Sequence, residues 1–81
     1  MQLDTSKLRT FYYGLSTQAR ADFALKCDTS DGQIKQIISK HRTCSPLLAV
    51  EFDKASNGFI RCDELCPQVD FEYVRTQQLI A

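Results

Sequence analysis

The sequence predicts an all-α domain of four to five helices with a C-terminal extension, and three observations lead there. Apolar residues recur at helical spacing along most of the chain, as at Leu8, Phe11, Tyr12 and Leu15. Three serines, Ser16, Ser30 and Ser45, stand where such stripes begin, and Ser45 is followed by Pro46, a cap residue before proline at the first helical position. In RADFALKCDTSDGQIKQIIS (20–39) a polar break, Asp28-Thr29-Ser30, divides the stripe carried by Phe23, Ala24, Cys27, Ile34 and Ile37. That is the spacing of a helix-turn-helix: Ala24 is small enough for two crossing helices to touch, and Asp28 tolerates the left-handed backbone of a turn.

The elements follow in order. A first helix runs from about Thr5 to Tyr13, capped by Asp4 or Thr5 and ended by Gly14. The second spans Thr17 to Lys26. The third starts after Ser30, with Gln33 completing a capping box and Asp31 favoured by the helix dipole, and carries Ile34, Ile37 and Ile38 inward to about Lys40. The fourth spans Pro46 to Ala55, burying Leu48, Ala49, Phe52 and Ala55, and Asn57-Gly58 ends it in turn chemistry. One short turn at Arg61 to Leu65 stops at Pro67. Val69, Phe71, Tyr73 and Val74 continue an apolar tail without clear period. The division is 1–60 as a helix-turn-helix domain and 61–81 as a tail for oligomerisation or partner docking.

Composition narrows the function classes. With 81 residues, 43% hydrophobic and 25% charged, the chain is one small globular unit. No apolar run approaches the roughly 20 residues that span a membrane, and MQLDTSKLRTF lacks the order of a secretory signal, so a cytoplasmic location is expected. Cys27, Cys44, Cys62 and Cys66 are therefore expected reduced, and their spacings match no common zinc pattern. His41 is the single histidine, and Gly14, Gly32 and Gly58 lie too far apart for a phosphate loop, so neither an enzyme nor a cofactor is expected. Net charge is zero, but residues 1–50 carry seven Lys/Arg against four Asp/Glu and residues 51–81 three against six. From Gln33 to Pro46 the chain has Lys35, Lys40, His41 and Arg42 with no acid, a positive patch suited to phosphate.

In a helix-turn-helix the exposed N-terminal face of the second helix enters the major groove. Here it presents Ser30, Asp31, Gly32, Lys35 and Gln36 as the base-reading set. Gln36 suits adenine and Lys35 guanine. Asp31 could accept from cytosine, though a cap or dipole role fits a carboxylate among phosphates better. Phosphate positioning falls to Arg20, Gln33, Lys40, His41, Arg42 and Ser45, with the amides opening the fourth helix. The tail offers Phe71, Tyr73 and Val74 as oligomer or partner contacts, if they are exposed, against packing back onto helices 1 and 4.

Several motifs together carry a family resemblance over about residues 7–75. They are C-x-T-S-x-G at Cys27 to Gly32, I-x-Q-I at Ile34 to Ile37 and H-R-x-x-S-P at His41 to Pro46. L-A-V at Leu48 to Val50, A-S-N-G at Ala55 to Gly58 and the ending P-Q-V-D-F-x-Y-V-R follow. The chain resembles the Cro-like prophage repressors, specifically the YdaS-type antitoxins, within the lambda-repressor-like helix-turn-helix fold. Asp28 stands where that family usually has glycine, Cys66 where it often has arginine, and Phe71 where it has tryptophan. The resemblance implies a transcriptional regulator that binds operator DNA, its own included, as a dimer or higher oligomer. It is usually made beside a toxin or another prophage regulator. The alternative is an antitoxin-type interaction module that neutralises a cognate toxin through its C-terminal segment.

Overall fold

Serine caps and left-handed exits set the helix boundaries in the computed structural model, which describes residues 3–73. Among the described residues, α1 Ser6–Tyr13, α2 Thr17–Lys26, α3 Asp31–Ile38, α4 Pro46–Ala55 and α5 Cys62–Leu65 form, and residues 71–73 are helical as well. Among the described residues there is no strand, so the architecture is all-α. Ser16, Ser30 and Ser45 each accept, through the side-chain oxygen, the amide of the residue three positions on. Each satisfies one of the donors that a helix start leaves unpaired. The expected capping box at α3 is only half formed. Gln33 Oε1 instead accepts from the Thr29 hydroxyl at 2.6 Å.

At α1 the cap is Asp4 in function, since its carboxylate accepts both the Ser6 amide (3.0 Å) and the Ser6 hydroxyl (2.7 Å). Those hydrogen bonds hold the Asp4 carboxyl below its usual range. Thr5 does not cap its own helix. Its hydroxyl donates across the fold to the Ile38 carbonyl at 3.1 Å, closing the C-terminus of α3.

Three helices end alike. Asp28, Lys40 and Asn57 take φ of 57°, 66° and 57°, each one residue past a helix C-cap. In each case the next amide reaches back five residues: Thr29 to Ala24, His41 to Gln36, Gly58 to Asp53. This is the Schellman closure, which pairs carbonyls that would otherwise be orphaned. It explains why α3 stops at Ile38 rather than near Lys40. Gly14, by contrast, keeps φ −80°, and its lack of a side chain serves close approach: a Cβ there would lie 3.1 Å from the Thr10 carbonyl oxygen.

The core gathers Leu8 and Tyr12 of α1, Phe23 and Ala24 of α2, and Ile34, Ile37 and Ile38 of α3 around Phe52 of α4. Phe23 and Phe52 stack with centroids 5.6 Å apart and planes at 9°. On α4, Ala49 and Phe52 are buried, while Leu48 and Ala55 are only partly so. The boundary expected at residue 60 is not a break in packing. Cys62, Leu65, Cys66 and Phe71 join the same core, α5 packs on α4, and the Asp4 amide donates to the Glu64 carbonyl at 2.8 Å. Phe71 is thereby corrected from a partner contact to a core residue, 7% exposed, because its ring fills the space beside this cluster. Tyr73 is 60% exposed, and Val74 lies outside the described residues.

All four thiols are buried, and none is joined in a disulfide. Burial pushes Cys27 up to about 11 and Cys44 and Cys62 up to about 12, and raises Cys66 as well. In each case the folded value lies above the unfolded reference of 9.0. The stability tied to the neutral thiols is therefore complete below about pH 9 and is lost as pH rises through 9 toward the folded values. Urea midpoints measured from pH 8 to 11 will fall above pH 9. Cys44→Ala will remove about 1.4 kcal/mol per pH unit from that slope, and an unchanged slope would exclude ionisation of Cys44 as a cause.

Candidate nucleic-acid interface

α3 divides cleanly into two faces. Ile34, Ile37 and Ile38 point into the core, and at 3.6 residues per turn this leaves Asp31, Gly32, Gln33, Lys35 and Gln36 exposed, continuous with exposed Ser30. All five base-reading candidates therefore share one accessible surface. A Cβ built on Gly32 meets no atom within 4 Å, so nothing in the fold demands glycine there.

Asp31 is the most constrained member of this face. One carboxylate oxygen accepts from the hydroxyl of Tyr12, whose residue is wholly buried, and the other pairs with Lys35 Nζ at 3.1 Å. The Tyr12 hydrogen bond first, then Lys35, holds the Asp31 carboxyl below its usual range. Tyr12 itself is pushed well above the usual phenol range by burial and by Asp31. Asp31 thus ties the start of α3 to α1, a link that a local cap or dipole role does not include.

Arg20 is used differently from expectation. Its guanidinium donates to the carbonyls of Tyr12 and Tyr13, both at 3.2 Å, and lies 5.7 and 5.3 Å from their ring centroids. It closes the C-terminal end of α1, where partly negative carbonyls favour a cation. Arg20 still borders a cleft of about 290 Å³ shared with Thr17, Ala21, Asp31 and Lys35.

The remaining phosphate candidates lie elsewhere around α3. Gln33, Arg42 and Ser45 border a cleft of about 320 Å³ between α3 and the start of α4. Gln33 and Ser45 also border an adjoining cleft of about 420 Å³ that reaches Leu47 and Glu51. Lys40 and His41 occupy the turn after α3, where the Ser39 hydroxyl lies 2.8 Å from His41 Nδ1. Arg20 and Lys35 thus border one cleft beside α3 and Arg42 another, while Lys40 and His41 follow its C-terminus, so the cations do not form one cluster. Among the described residues, no group of three or more His, Cys, Asp or Glu is placed to hold a metal, and no helix is long and apolar enough to cross a membrane.

Leu25 and Leu47 are 80% and 74% exposed, and the sequence reading did not single them out. Their signal was phase: Leu25 follows buried Ala24 and Leu47 lies two residues before buried Ala49, each off the inward stripe of its helix. The Tyr12–Asp31 bond, 19 residues apart, has no signal in the sequence.

No family model, curated protein or solved structure matches this chain.

Proposed function

We propose that the chain is a sequence-specific DNA-binding transcriptional regulator of the Cro-like type, with α2 and α3 as its helix-turn-helix and α3 as the recognition helix. The observation that carries this reading is the exposed polar face of α3, with Arg42 bordering a cleft on one side and Lys35 with Arg20 bordering a second cleft. A helix seated in a major groove needs that arrangement, with base edges ahead of it and a phosphate strand to either side. Supporting it, Asp28 adopts the left-handed turn between the two helices, α2 packs on α3, and Ala24 is buried, its carbonyl accepting the Thr29 amide of the turn.

In this reading Lys35 and Gln36 read bases, and Gly32 admits close backbone approach. Arg42, Lys40, His41, Gln33 and the capped start of α4 position phosphates, while Arg20 chiefly braces α1. The regulator acts as a dimer or higher oligomer, and of the tail contacts Tyr73 is the described one left on the surface.

The test is binding of the duplex upstream of its own gene, followed by anisotropy across a salt series. Neutralising three to five phosphates per protomer gives a slope of log K against log salt between about −2.7 and −4.5. Binding that ignores salt, or that does not prefer this duplex over a scrambled one, overturns the reading.

A further inference from the structure

Within the DNA-binding reading, on which this rests, we propose that Asp31 is a specificity-determining residue that acts by restraining Lys35. Held by the Tyr12 hydroxyl, the Asp31 carboxylate draws the Lys35 ammonium back along α3, so Lys35 leaves it only for a site that offers more than a phosphate.

The geometry behind this is fixed from outside α3. An aspartate at the first position of an exposed helix would ordinarily turn freely and pair weakly with a lysine four residues on. Here one oxygen is anchored to a tyrosine with no exposed surface, and that tyrosine is braced in turn by Arg20 on its carbonyl and ring. The second oxygen is then left facing Lys35 at 3.1 Å. The charges around the pair are Arg20 across the 290 Å³ cleft and Lys35 itself.

The consequence is a selective exchange. Any duplex offers phosphates, and a lysine free to reach them adds affinity without regard to sequence. A lysine that must first leave a held carboxylate loses that indiscriminate gain, whereas a guanine edge, presenting two acceptors, repays the exchange at the operator. Restraint therefore lowers non-specific binding more than specific binding, which raises the ratio that sets occupancy in a genome.

The experiment uses the full chain with Asp31→Asn, Lys35→Ala, the double variant and Tyr12→Phe. Each is titrated against the upstream duplex and a scrambled duplex of equal length across a salt series, with circular dichroism confirming helix content. Asp31→Asn is expected to tighten scrambled-duplex binding about five- to tenfold at 0.1 M salt and to steepen the slope by about 0.9, one further phosphate being engaged. The preference for the upstream duplex falls accordingly. In the Lys35→Ala background the same substitution should change scrambled binding by less than about twofold, since the restrained group is gone. Tyr12→Phe keeps the carboxylate charge but releases its anchor, and should shift binding in the same direction by a smaller step.

An Asp31→Asn effect that persists undiminished without Lys35 shows simple repulsion between carboxylate and phosphate and overturns the proposal, as does no effect at all. If the unaltered chain itself lacks salt-dependent preference for the duplex, the DNA reading fails first and this inference falls with it.

Discussion

Phe52→Ala is expected to cost about 3–5 kcal/mol of stability, because the ring lies wholly inside the core and the cavity it leaves cannot collapse. It stacks on Phe23 at 5.6 Å, and Phe11 lies 5.2 Å from Phe23, so three helices lose their common aromatic contact together. A domain of this size has about 4–12 kcal/mol in total, so the variant should be largely unfolded or melt tens of degrees lower. Urea denaturation followed by circular dichroism measures the loss. A cost under 1 kcal/mol would mean that the core does not close around this ring.

Lys35→Ala with Gln36→Ala should abolish site preference while leaving the fold intact. Each base contact is worth about 1–3 kcal/mol of discrimination, so the pair removes about 2–6 kcal/mol, a loss of roughly 30-fold to 25,000-fold in the ratio of operator to scrambled binding. Both side chains are exposed, and the Lys35–Asp31 pair is half in solvent, so the melting temperature should move little. Residual binding through Lys40 and Arg42 should persist and remain salt-dependent. A footprint on the intergenic DNA reads the outcome directly: a double variant that still protects the same bases would show that α3 does not read them.

Local chemistry was legible in detail. Ser16, Ser30 and Ser45 open helices where the reading placed them, Pro46 starts α4, and the isoleucines of α3 turn inward. Such features depend on residues within one turn of one another, which is the range over which capping and periodicity act. The exit of α3 was less legible, because Lys40 is a poor advertisement for left-handed backbone; the closure from His41 to Gln36 and the Thr5 hydroxyl on Ile38 make up for it. Phe71, which the sequence leaves open between a partner contact and inward packing, is illegible for a related reason. A short apolar stretch without period carries no sign of which surface it meets, and only the joining of α5 and Phe71 to the common core decides that.

Taken from end to end, the amino-acid order alone determined four helix starts, the polar break between α2 and α3, and the set of side chains on the outer face of α3. Tertiary structure alone decided what those side chains are tied to: Asp31 to Tyr12, Arg20 to the end of α1, and Gln33 to the clefts beside α4. The reason is physical. Helix propensity and capping are local free energies that neighbouring residues settle, whereas a hydrogen bond between residues 12 and 31 exists only once the intervening chain has been folded back and its loop-closure entropy overcome.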